Sequence, residues 1–150
     1  MSLPEIQLAT DGDLNYALFK HPDIVSNAVR SGGYETELQE ESKRLLQGCT
    51  DGIVLDIGAN LGSYTVPLAK QFPALRFHSF EPQRIVYYQL CTNVFLNRLD
   101  NVYAYQYGLS DAEWAEPMEM PDYGAEHNIG AFSIDPVVRE NNYEVQTHGY

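Results

Sequence analysis

Two acidic residues, each closing an apolar run, are the first candidates for chemistry. Asp56 ends Val54-Leu55-Asp56 and leads through Ile57 into Gly58-Ala59-Asn60-Leu61-Gly62, and Glu81 ends the next apolar run in Phe80-Glu81-Pro82. Glycines after a strand let backbone come close to a bound molecule, and a carboxylate at the next strand's tip accepts from both hydroxyls of a ribose. The spacing is G-x-x-x-G, not the G-x-G-x-x-G that sets backbone against a pyrophosphate. An acid ahead of the first glycine suits a ligand with a positive end. S-adenosylmethionine fits: it carries a sulfonium and an ammonium, and no phosphate to place at a helix N-terminus.

Each residue has a role and a plainer alternative. Asp56 holds the ligand's amino-acid end, or caps a turn. Gly58 is the point of close approach, with Ala59 beside it, or simply a tight turn. Asn60 orients this loop or touches the ligand. Gly62 serves close helix–strand packing more than contact. Glu81, followed by Pro82, accepts both ribose hydroxyls in a way that a neutral side chain does not copy, or is an exposed strand-end acid with no ligand. Ser110 and Asp111 follow a third apolar run, where an adenine edge would lie, or form an ordinary turn. Glu35, next to Tyr34, covers the ligand from the N-terminal side, or caps the helix that follows it. His127, with Glu126, is a weak candidate for a general base. Lone histidines such as His21 and His78 read as structural. The spacing of Cys49, Cys91 and the histidines fits no metal site.

These residues need a scaffold of alternating strands and helices. Strands are expected over 53–57, 75–80 and 102–107, with helices over 61–70 and 83–97. Val86, Leu90 and Val94 mark the buried stripe of the second helix. Strand, helix, strand, helix, strand with short connections is a mononucleotide-binding half, an α/β Rossmann-like fold with parallel strands in the order 3-2-1. The first strand reads as a central one, covered on both faces. A helix over 34–47 should bury Leu38, Leu45 and Leu46 and stop at Gly48. Residues 1–33 form an accessory segment with turns at Asp11-Gly12-Asp13 and Ser31-Gly32-Gly33, a short strand over 15–19 and a short helix over 22–29. Beyond Ala112 the pattern loosens, with short strands expected over 129–134 and 143–147. One of these, or a second copy in a homodimer, should cover the open edge of the first strand.

The 150 residues amount to one domain, and 44% hydrophobic content is that of a globular protein. Nine Lys and Arg against 21 Asp and Glu give a formal charge of −12, which argues against a nucleic-acid partner. Glu37, Glu40 and Glu41 read as a solvated helix face. The two cysteines are expected to be buried free thiols in a reducing compartment. No N-terminal apolar stretch matches a signal peptide or a membrane span, so a soluble cytoplasmic protein is expected.

On these residues the sequence resembles the FkbM-type methyltransferases, a branch of the class I S-adenosylmethionine-dependent enzymes. The likeness runs over about residues 34–150. It comprises Tyr34-Glu35, the Asp56 to Gly62 loop, Phe80-Glu81-Pro82, the stretch Asn93 to Asn97, Gly108-Leu109-Ser110-Asp111 and Asn128-Ile129-Gly130. It implies an S-adenosylmethionine-binding domain over 34–150 and O-methylation of a hydroxyl on a sugar or natural product, a small-molecule acceptor. The family's Lys-x-Asp-x-Glu-Gly-type motif on a fourth strand is not matched. The expectation is therefore a fold incomplete at its C-terminus. A non-catalytic S-adenosylmethionine-binding module stands as the alternative. A nucleotide-dependent oxidoreductase is disfavoured by the glycine spacing.

Overall fold

The computed structural model describes residues 4–20 and 23–111, together with Tyr123 and Ile129. It opens with a hairpin that the sequence showed only in part. Strand β1 (Ile6–Asp11) pairs antiparallel with β2 (Leu14–Phe19) across Gly12-Asp13. The tight turn is allowed because Gly12 takes φ +59°. β1 escaped the hydrophobic pattern because its Ile6 and Leu8 stay largely exposed, whereas β2 is buried almost throughout. Helix α1 (Ile24–Arg30) follows, capped by Asp23, whose Oδ2 accepts from the Ser26 backbone N at 2.8 Å.

Helix α2 (Thr36–Leu46) turns a different face inward from the one its leucines suggest. Leu46 packs against the core as expected, but Leu38 is 52% and Leu45 80% exposed, and the buried residues are Gln39 and Ser42. Both find partners. Gln39 Nε2 donates to the Tyr34 and Ser63 carbonyls at 2.8 and 3.1 Å, and the Ser42 hydroxyl lies 2.6 Å from the Tyr64 hydroxyl. A buried amide or hydroxyl with its bonds made carries little penalty, so the polar stripe faces in. Glu40 and Glu41 lie in solvent, paired with Lys43 and Arg44. Cys49 is exposed, not buried as expected, and Cys91 is half-buried.

The central unit is β3 (Ile53–Ile57), α3 (Thr65–Gln71), β4 (Arg76–Phe80), α4 (Arg84–Leu96) and β5 (Val102–Tyr105). The three strands are parallel and stand in the order β3-β4-β5, with Asp56 beside Ser79 and Ile57 beside Phe80. Both acids therefore sit at the same, carboxyl end of the sheet. One sheet face contributes Val54, Phe77 and Val102 to a core that also holds Leu61, Val66 and Leu68 and the hairpin's Leu14, Tyr16 and Leu18.

The opposite sheet face departs from expectation. Ile53, Leu55 and Ile57 are 58 to 62% exposed, so among the described residues β3 is covered on one face only. Its edge away from β4 also lacks a strand partner among them. The strands expected over 129–134 and 143–147 lie outside the described residues, Ile129 apart. No helix among the described residues is long and apolar enough to cross a membrane.

Candidate functional site

The loop from Gly58 to Tyr64 joins β3 to α3 and carries four of the candidate residues, Gly58, Ala59, Asn60 and Gly62. It is held by the strand beside it: the Gly58 and Ala59 backbone N–H groups both donate to the Phe80 carbonyl at 2.9 Å. Gly58 and Gly62 have φ of +83° and +89°, and Asn60 adopts +51°. That left-handed conformation is uncommon for a side-chain-bearing residue and is most accessible to Asn and Asp. The Asn60 side chain helps hold it, with Oδ1 accepting from the Leu61 backbone N at 2.6 Å. Gly62 is a packing glycine, since a Cβ there would meet Leu90 Cδ1 at 2.9 Å and Val66 Cγ2 at 3.1 Å.

A cavity of about 480 Å³ lies against this loop, walled by Glu35, Asp56, Gly58, Ala59 and Asn60, and on the other side by Tyr34, Leu38 and Tyr64. Among the described residues no Lys, Arg or His lines it. Burial raises the Asp56 carboxyl above its ordinary value, a bond from Thr65 opposes this, and the charge of Glu35 adds to it. The Thr65 hydroxyl donates to Asp56 Oδ2 and is also paired with the Ser79 hydroxyl at 2.7 Å. Glu35 is the N-cap of α2 with φ +52°, and its side chain makes no capping bond. Two carboxylates and no cation make this wall favourable for a positively charged group.

Glu81 is not the exposed strand-tip acid that its position suggests. It is only 4% exposed. Oε2 accepts from the Asn60 backbone N and Oε1 from the Gln83 backbone N, both at 2.9 Å. The carboxylate thus ties the glycine loop to the start of α4. Burial is the largest influence on it and pushes its pKa up to about 7, against the lowering effect of the two backbone bonds. Each oxygen has one acceptor position beyond these bonds, although Glu81 lies behind the loop and is not among the cavity's lining residues.

The remaining candidates are distributed differently. Pro82 is half-buried and is not part of the cavity wall. Ser110 and Asp111 are exposed and hydrogen-bonded to each other at 3.2 Å, away from the cavity's lining residues. His127, Glu126, Asn128 and Gly130 lie outside the described residues, as does His21. Ile129 is buried, its carbonyl accepting from Gln83 Nε2 at 2.9 Å and its N–H reaching Asp23 Oδ1 at 3.4 Å. His78 is structural: Nδ1 lies 2.9 Å from the Tyr105 hydroxyl, and its ring stacks on Tyr103 and Tyr105. Three contributions to the site were not singled out from sequence. Thr65 bonds Asp56 and Ser79 bonds Thr65, and Tyr64 reaches the cavity from a loop expected to be helix.

The described part is an α/β fold with a parallel three-stranded sheet. It matches the crystal structure of P. horikoshii TYW2 in complex with MeSAdo with a TM-score of 0.52, at 20% identity over 69% of this chain and 36% of that one. A curated relative is the tRNA(Phe) (4-demethylwyosine(37)-C(7)) aminocarboxypropyltransferase of Methanocaldococcus jannaschii, 36% identical over 64 residues, 42% of this chain. The match spans 26% of that relative's length. No family model matches the chain.

Two expectations change with these findings. The FkbM-type assignment gives way, because the relative and the solved structure belong to a different group that shares the same fold. The expectation of a small-molecule acceptor and no nucleic acid is overturned by a relative named for its action on tRNA(Phe). The physical reason is one of scope. A charge of −12 describes these 150 residues, and in the relative the matched part is only about a quarter of the protein. Phosphate contacts need basic side chains somewhere on an enzyme, not on its cofactor-binding part.

Proposed function

We propose that this chain is the S-adenosylmethionine-binding part of a transferase that modifies a nucleoside of tRNA. The observation that carries the reading is the placement of acids around one loop: Asp56 and Glu35 on a cavity wall without a cation among the described residues, and the buried Glu81 beneath Asn60. Asp56 and Glu35 suit the ammonium and sulfonium end, Gly58 and Ala59 leave room for it, and Glu81 suits the ribose diol. The tRNA substrate is supported by the name of the M. jannaschii relative. An NAD-type ligand fits poorly, since its pyrophosphate would face carboxylates where it needs N–H donors.

The sulfonium of S-adenosylmethionine has three carbon substituents, so one donor site serves more than one transfer. Attack at the methyl carbon leaves S-adenosylhomocysteine; attack at the aminocarboxypropyl carbon leaves methylthioadenosine. The test begins with calorimetric titration of the full chain against S-adenosylmethionine, S-adenosylhomocysteine and NAD. Incubation with tRNA and S-adenosylmethionine labelled separately in the methyl and carboxyl carbons then identifies the group moved. Binding of the first two ligands and not NAD is the expected result, and either label entering tRNA identifies the group moved. Binding without transfer assigns the chain as a binding module, and preference for NAD overturns the reading.

A further inference from the structure

The face that α4 turns toward the hairpin is polar and buried. Gln89, Asn93 and Asn97 stand one turn apart on it and are 5%, 0% and 3% exposed. Their amides satisfy the edge of β2 that β1 leaves free. Gln89 Nε2 donates to the Ala17 carbonyl at 2.8 Å, and Asn93 Oδ1 accepts from the Ala17 N at 2.6 Å. Asn97 accepts from the Asn15 N at 2.9 Å and donates to the Asn15 carbonyl at 2.7 Å. Side chains of a helix here take the place of a third strand.

Asn93 differs from its neighbours in one respect. Its second amide group, Nδ2, donates to the Leu61 carbonyl at 2.7 Å, inside the glycine loop. The orientation of the amide is unambiguous, because the Ala17 N–H only donates and the Leu61 carbonyl only accepts. The residue next to Leu61 is Asn60, left-handed and bonded through its N–H to Glu81. One fully buried side chain therefore couples the docked hairpin to the loop that walls the cavity. We propose that Asn93 is a positioning residue for ligand binding, holding the Gly58–Gly62 loop in its binding shape through the Leu61 carbonyl while the hairpin fixes the amide's orientation. As regards the ligand, this rests on the S-adenosylmethionine reading; as regards the loop, it stands on the bonds alone.

Asn93→Asp separates the two bonds. An ionised carboxylate still accepts from Ala17 but leaves the Leu61 carbonyl without a donor and sets an oxygen against it. A protonated carboxyl restores both bonds. Asn97→Asp is the control, since Asn97 docks the same hairpin and has no bond to the loop. At pH 8 the expected result for Asn93→Asp is at least tenfold faster amide exchange at Asn60, Leu61 and Gly62, with at least tenfold weaker S-adenosylmethionine binding. Asn97→Asp should alter both by less than twofold; it keeps the acceptor for the Asn15 N–H and loses only the donor to the Asn15 carbonyl. Lowering the pH to 5.5 should narrow the Asn93→Asp deficit relative to wild type measured at the same pH. Asn93→Ala against Asn97→Ala repeats the comparison without a buried charge.

Loop exchange as slow in both Asn93 variants as in wild type overturns the proposal, as does equal loosening of the loop in the Asn97 variants. If wild type binds no S-adenosylmethionine but the exchange pattern holds, the positioning role stands and the cofactor reading falls.

Discussion

The pH dependence of ligand binding at Glu81 tests the site most directly. Burial places its carboxyl near pKa 7, so about one molecule in eleven is ionised there at pH 6 and about ten in eleven at pH 8. A diol donates two hydrogen bonds and prefers the ionised form, so affinity should fall about tenfold between pH 8 and pH 6. Glu81→Gln removes the charge and one acceptor. Taking about 3 kcal/mol for the lost charged bonds, it should bind about a hundredfold more weakly at pH 8 and show none of this slope. Titration of the ligand's own groups is common to both proteins and divides out of their ratio.

Stability supplies a second, independent reading of the same side chain. A folded-state pKa raised from 4.5 to about 7 means that this group's contribution to stability is present below pH 4.5 and is lost as the pH rises to 7. The loss is about 3 kcal/mol at pH 8, at about 1.4 kcal/mol per unit. Glu81→Gln relieves it but turns an amide N–H against the Asn60 or Gln83 N–H, a cost of about 1–3 kcal/mol. The variant should equal wild type or exceed it by up to about 2 kcal/mol in urea denaturation at pH 8, and be less stable by up to about 2 kcal/mol at pH 5. A flat wild-type affinity profile from pH 5.5 to 8, with Glu81→Gln binding as tightly, would refute the reasoning.

Three further substitutions test the surroundings of the site. Gly62→Ala combines left-handed strain with a 2.9 Å clash against Leu90 and should cost about 2–3 kcal/mol by urea denaturation; Gly12→Ala, with open space around it, should cost less. Thr65→Val keeps the shape but removes the donor to Asp56 and the pairing with Ser79. It should lower stability by about 1–2 kcal/mol and weaken S-adenosylmethionine binding several-fold in calorimetry. Asp23→Ala removes the cap of α1, and thermal melts should show a loss of about 1 kcal/mol.

What was legible in the sequence was chemical identity at fixed points along the chain. An acid, two glycines and a second acid at strand ends located the loop and the carboxyl end of the sheet, because few other folds need those residues at those positions. What was not legible depended on partners distant in sequence. α2 was read as burying leucines, yet Gln39 and Ser42 turn inward because Ser63 and Tyr64 wait there with an acceptor and a hydroxyl. A glutamate at a strand's end is expected to be solvated, yet the N–H groups of Asn60 and Gln83 converge on Glu81 and the fold closes over it. The amides of Gln89, Asn93 and Asn97 have helical spacing, but only the hairpin's free edge makes them a dock, and β1, which creates that edge, carries little hydrophobic signal. Hydrophobic periodicity reports which side of an element is apolar; it is silent about polar groups whose partners arrive from elsewhere in the chain. In this chain those polar groups, Asn93 and Glu81 above all, connect the scaffold to the site. The loop's shape therefore depends on bonds that no local pattern reveals, and the experiments that discriminate best are those that remove one such bond at a time.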